Sequence, residues 1–189
     1  LEAGFQAEQG LSAVERYGVR VASLGFLLKP GTPVVWRGPM IGTGVRQLLR
    51  DVPWGEQGEL DYLIIDLPPG SGDVALTLCQ SIPITGAVVV STPQHVALNV
   101  AQKAIAMFKK LNAPILGIIE NMSYYVASDG TRDEIFGSGG ARAIAEQLQI
   151  PFLGELPLAT PIRVASDVGR PVVLTEPDSP WAKAFIAAA

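Results

Sequence analysis

One cysteine, Cys79, and one histidine, His95, stand in 189 residues. A lone cysteine excludes an intrachain disulfide, and by itself it cannot build a zinc or iron–sulfur site. Charge is sparse as well. Only 17% of residues are charged against 48% hydrophobic, which excludes a disordered or polyelectrolyte segment. The formal net charge is −4 with no basic stripe, so no nucleic acid is expected as a partner. No apolar run approaches the roughly 18 residues of a membrane helix, so no membrane is expected either. The opening Leu1-Glu2-Ala3-Gly4-Phe5 resembles no secretory signal. The compartment expected is therefore reducing and cytoplasmic. Turn formers, by contrast, are plentiful: 20 Gly and 15 Pro, without a collagen period or a low-complexity tract. Length, and the lack of any internal repeat or long linker, predict one domain over residues 1–189.

Short apolar runs alternate with helical patterns. Val19–Leu24, Tyr62–Ile65, Ala87–Val90, Ile115–Ile119 and Phe152–Gly154 read as strands, several of them continuously apolar, as strands covered on both faces are. Met40–Arg50 and Ala141–Leu148 read as helices. The clearest helix carries Val96, Val100, Ala104, Met107, Phe108 and Leu111 as one stripe. Lys109 and Lys110 suit its last turn, and Asn112 with Pro114 ends it. Strand–helix–strand repetition predicts an α/β fold, a mostly parallel sheet flanked by helices.

Ligands of such sheets bind beyond the carboxyl ends of the strands. The strongest exit is Asp66-Leu67-Pro68-Pro69-Gly70-Ser71-Gly72-Asp73. Asp66 at the end of an apolar strand suits a water held on Mg²⁺, and Gly70 and Gly72 leave backbone amides open to a terminal phosphate. The plain alternative is a Pro-Gly turn in which Asp73 caps the next helix. Gly70, Gly72 and Ala75 also match a dinucleotide fingerprint. That fingerprint wants an acid about 20 residues on, and none lies between Asp73 and Glu120.

The Asp66 block resembles the second acidic motif and switch II of the Mrp/ApbC-type iron–sulfur cluster carrier ATPases, P-loop NTPases of the deviant-Walker, MinD/ParA-like group. The resemblance takes in Trp36-Arg37-Gly38-Pro39-Met40, Ser91-Thr92-Pro93-Gln94, Glu120-Asn121-Met122-Ser123-Tyr124 and Ile135-Phe136-Gly137-Ser138-Gly139-Gly140. It continues through Gly154-Glu155-Leu156-Pro157-Leu158 and Ser166-Asp167-Val168-Gly169-Arg170-Pro171. The family's glycine-rich phosphate loop is nowhere in the sequence. It is expected ahead of Leu1, so that the chain corresponds to the C-terminal two-thirds of the family domain. The resemblance implies an ATP-binding, ATP-hydrolysing iron–sulfur cluster carrier that acts as a homodimer and serves apo iron–sulfur proteins. Its cofactors are ATP, Mg²⁺ and a [4Fe–4S] cluster. It makes Asp66, Gly70, Gly72 and Asp73 the catalytic set, with Asp66 on Mg²⁺ through water. It makes Asn121 the reader of the adenine edge, with Pro157 and Leu158 lining the base pocket. Many relatives carry a Cys-x-x-Cys pair soon after Asn-Met-Ser-Tyr, where this chain reads Tyr125-Val126-Ala127-Ser128-Asp129-Gly130-Thr131-Arg132. No cluster ligand is therefore expected in this chain. The rival reading is a MinD/ParA-like positioning or scaffold protein without a cluster.

His95 reads as a helix-start residue, Cys79 as a buried and inert thiol, and Trp36, Trp54 and Trp181 as packing or subunit contacts. Arg37 is placed near the nucleotide with no role assigned.

Overall fold

The computed structural model describes residues 11–27, 38–56, 58–68, 72–127 and 129–189. The chain divides into two units, Leu1–Pro83 and Ile84–Ala189. Trp36, Arg37 and Gly70 lie outside the described residues.

The described part of the first unit begins with a hairpin. Strand β1 (Val14–Arg16) pairs antiparallel with β2 (Val19–Val21), Val14 opposite Val21 and Arg16 opposite Val19. The turn residues Tyr17 and Gly18 both take left-handed backbone, φ 54° and 75°, which matches the twist of the two arms. Val19–Leu24 is thus not a strand of the parallel sheet. Its first three residues fold back on their own neighbours, and Leu24–Leu27 forms a 3-10 turn. The apolar run Tyr62–Ile65 also departs from expectation. It belongs to no strand, and Tyr62 and Ile64 are 86% and 91% exposed. A strand exists only by its ladder, and none of the described residues pairs with this segment. Helices α1 (Gly38–Arg50) and α2 (Gly72–Ser81) pack on each other in this unit. Gly44 on α1 lies close under Leu24, whose methyl carbons would stand 2.9 Å from an added methyl and would have to shift. Trp54 donates from Nε1 to the Leu48 carbonyl, 2.8 Å, and its own carbonyl accepts from Arg20, so it is a packing residue.

The second unit carries the expected α/β architecture. Strand β3 (Ala87–Ser91) leads into helix α3 (His95–Lys110), which returns to β4 (Ile115–Val126), parallel to β3. A two-residue strand β5 (Arg132–Asp133) folds back antiparallel on the end of β4. Helix α4 (Gly140–Leu148) then delivers β6 (Phe152–Leu158), parallel to β4 on its other side. Helices α5 (Thr160–Asp167), α6 (Val172–Thr175) and α7 (Pro180–Ala188) finish the chain. Ser179 caps α7 by accepting from Ala182 N–H, and Trp181 Nε1 donates to Glu176. The core joins Val89, Leu98, Ala101, Ile105, Ile118, Ala141, Ile144 and Ala145.

Helix α3 ends as the sequence predicts, with Lys109 and Lys110 in its last turn and Asn112 left-handed at φ 58°. Its buried face is different. Leu98, Ala101, Ile105 and Phe108 face the core, whereas Val96 and Val100 are 78% and 56% exposed. Two apolar stripes share this helix, and periodicity alone cannot say which one meets the sheet.

Candidate functional site

The pairing of β4 with β6 is interrupted just past the point where β3 ends. Glu120 pairs with Glu155, but the next pair is Tyr124 with Pro157, so residues 121, 122 and 123 face the single residue 156. Such a bulge bends the strand and re-aims side chains. Met122 at its centre is left-handed, φ 53°. Its N–H donates 2.9 Å to Oδ1 of half-buried Asn121, a local bond that stabilises the turn.

The bulge is held from beneath by Glu120, whose side chain is fully buried. Its carboxylate accepts from Ser123 Oγ (2.7 Å), Gly139 N–H (3.0 Å) and Ala141 N–H (2.7 Å). The last two are orphan amides around the start of α4, where a negative charge is favoured. The Gly139 and Ala141 amides are therefore not open to an external anion.

On the neighbouring strand, Pro157 is buried and Leu158 half-buried at the end of β6. Asn121, Pro157 and Leu158 thus lie on paired strands at the same sheet edge. Beyond them, Tyr125, Ile135, Leu158, Ala159, Thr160 and Arg163 line a cavity of about 280 Å³. Below the same strand end sits a charged clamp. Glu155 accepts from Arg132 (2.8 Å) and Arg142 (3.4 Å), and each guanidinium also lies over a ring, Tyr124 at 3.9 Å and Phe152 at 4.2 Å. The Arg132 hydrogen bond holds the Glu155 carboxyl below the usual glutamate range, against the opposing effect of burial.

The other expected site residues belong to the first unit. Asp66 is exposed on the extended segment after Ile65, and Gly72 and Asp73 are exposed in the first turn of α2. Thr77 Oγ1 donates to the Asp73 backbone carbonyl. Cys79 is half-buried on the same helix, and burial pushes its thiol up, away from the reactive thiolate. His95 is exposed as the first residue of α3. Among the described residues there is no group of three or more His, Cys, Asp and Glu that could hold a metal, and no helix long and apolar enough to cross a membrane.

Sequence reading passes over Glu120, Glu155, Arg132 and Arg142 as functional groups. The available signal for Glu120 is an acid set directly after the apolar run Ile115–Ile119, where only a partnered carboxylate is tolerated. No local pattern announces the clamp, because its members lie on three elements.

One family pattern spans residues 2–189 and is described as ParA: NUBPL iron-transfer P-loop NTPase. The iron-sulfur cluster transfer protein NUBPL of Dictyostelium discoideum is 47% identical over 173 residues, 91% of this chain and 53% of that protein. The iron-sulfur cluster carrier protein of Deinococcus radiodurans is 49% identical over 183 residues, 96% of this chain and 51% of that protein. The chain spans about half the length of these curated relatives. A nucleotide-binding protein from Archaeoglobus fulgidus, solved in complex with ADP, matches with a TM-score of 0.71 at 39% identity, over 91% of this chain and 65% of that one. The septum site-determining protein MinD of Pyrococcus horikoshii, over 97% of this chain and 67% of its own, reaches 0.61 at 21% identity, which speaks to the fold alone. With the expected motifs in order and the family pattern running almost end to end, the chain belongs to the ParA-type NUBPL iron-transfer P-loop NTPases.

Proposed function

We propose that the protein is an ATP-driven iron–sulfur cluster carrier, and that this chain supplies its base-reading and acidic-exit residues within one P-loop NTPase domain. The observation that carries the reading is the Asn121 bulge beside Pro157 and Leu158, at the exits of two paired parallel strands, in a chain of this family. Adenine offers a donor and ring-nitrogen acceptors along its edge, and a carboxamide can answer both. With Asn121 Oδ1 engaged by Met122 N–H, the Nδ2 end is left to donate to a ring nitrogen.

Asp66 is the proposed Mg²⁺ residue. A lone exposed carboxylate cannot cage a divalent ion, but it fits Mg²⁺, which keeps several waters and takes its remaining ligands from phosphates. When bound, Mg²⁺ neutralises charge on the phosphates. Asp66 orients one of its waters, while the backbone of Gly70 and Gly72 senses the terminal phosphate and Asp73 completes the catalytic set.

The cluster is cargo, and its ligands do not come from this chain. A [4Fe–4S] centre takes four thiolates. Cys79 is the only cysteine, and burial disfavours its thiolate. The protein acts as a homodimer that delivers to apo iron–sulfur proteins. In the full-length protein, Asp66→Asn abolishes ATP hydrolysis while ATP still binds. Unchanged turnover in that variant overturns the assignment.

A further inference from the structure

The buried Glu120 has no part in the function proposed above, yet it ties the β4 bulge to the start of α4. Its carboxylate accepts from Ser123 Oγ inside the bulge, and from Gly139 and Ala141 N–H at the start of α4. The first residue of α4 is in turn wedged against the exit of β3. A methyl added to Gly140 would stand 2.8 Å from the Pro93 carbonyl oxygen and 2.4 Å from Leu98 Cδ1. Asn121 is the residue next to Glu120, and its carboxamide turns with the bulge.

We propose that Glu120 is a positioning residue for base recognition: its carboxylate anchors the Asn121–Ser123 bulge to α4 and so fixes the direction of the Asn121 carboxamide. This rests on the reading of Asn121 as the base reader. The chemistry requires a carboxylate. All three partners donate to it, so both of its oxygens must accept. Glutamine keeps the shape but turns an NH₂ toward at least one donor, which breaks that bond and loosens the bulge. Aspartate is a methylene short of reaching both the hydroxyl and the helix.

The test measures dissociation constants of the full-length protein for ATP, for inosine triphosphate and for inorganic tripolyphosphate. Hypoxanthine, the base of inosine triphosphate, carries an oxygen in place of adenine's amino group and a proton on N1, so the ring nitrogen to which Asn121 Nδ2 donates in adenine no longer accepts. Asn121→Ala is expected to lower the preference for ATP over inosine triphosphate; if the preference is unchanged, Asn121 does not read the base, and that reading fails by itself. Glu120→Gln is expected to weaken ATP about tenfold and to lower the same preference, with tripolyphosphate unaffected. In the double variant the two losses do not add. Equal weakening of all three ligands by Glu120→Gln, or additive losses, reduces Glu120 to a structural role and overturns the proposal. Should Glu120→Gln fail to fold, Ser123→Ala decides. It removes one of the three bonds, and an unchanged preference in that variant overturns the proposal too.

Discussion

Gly140→Ala sets two effects of opposite sign against each other. Alanine is the better helix former, by up to about 1 kcal/mol in a helix interior and by less in the first turn, where Gly140 lies. Sterics oppose it. The new methyl stands 2.4 Å from Leu98 Cδ1, which can rotate, and 2.8 Å from the Pro93 carbonyl oxygen, which cannot. Recovering an ordinary separation of about 3.5 Å moves the start of α4 by about 0.7 Å. That movement stretches the contacts from Ala141 N–H and Gly139 N–H to Glu120, now 2.7 and 3.0 Å, to roughly 3.4 and 3.7 Å, past useful hydrogen-bond length. Overpacking costs about 1–3 kcal/mol, and weakened bonds to a buried carboxylate add about 1–2. The net loss is about 2–4 kcal/mol, or a Tm lowered by about 5–15 °C. Thermal unfolding followed by circular dichroism reads this directly. Gly137→Ala is the control. Its methyl meets open space and its cost is only the strain of φ 82°, about 1 kcal/mol. A Tm at or above that of the parent in Gly140→Ala refutes the reasoning, because α4 would then not be fixed between Pro93 and Glu120.

The Glu155 clamp gives a pH dependence of known sign. Its folded carboxyl titrates below the ordinary 4.5, so its contribution is complete above that value and disappears as pH falls through the lowered one. The Tm of the parent and of Glu155→Gln therefore differ at pH 7 and converge only as pH falls below the ordinary glutamate range; a gap that persists at strongly acid pH counts against the clamp. After anaerobic reconstitution and desalting, the 189-residue chain retains no cluster, and stoichiometric visible charge-transfer absorbance in the desalted chain would show otherwise.

The second unit is legible in the sequence because β3, β4 and β6 are apolar on both sides and are separated by helices of ordinary length. Three things were not legible, each for its own reason. Val19–Val21 has the composition of a sheet strand, but the Tyr17-Gly18 turn beside it supplies a nearer partner. Tyr62–Ile65 has strand composition and no ladder, and composition does not provide one. The face of α3 was misread because Val96 and Val100 repeat with the same period as Leu98, Ala101 and Ile105. At the site, motif order singles out Asn121 and Leu158, and strand pairing sets them on neighbouring strands. The part played by Glu120 is not legible in its motif, since its partners at Gly139 and Ala141 are donors that only folding brings near.

The exposed run Tyr62-Leu63-Ile64-Ile65 has a practical consequence. It is short, β-branched and aromatic, uncharged and unpaired, which is the composition that stacks chain on chain. Two exposed acids, Asp61 and Asp66, bracket it as gatekeepers, with Pro68 just beyond. Asp66 thus guards solubility as well as being the residue proposed for Mg²⁺. In the 189-residue chain, removing its charge strips one guard from an exposed segment, and Asp66→Asn is expected to make this chain less soluble. Asp66→Glu separates the two duties: it keeps the guard and displaces the carboxylate by one methylene.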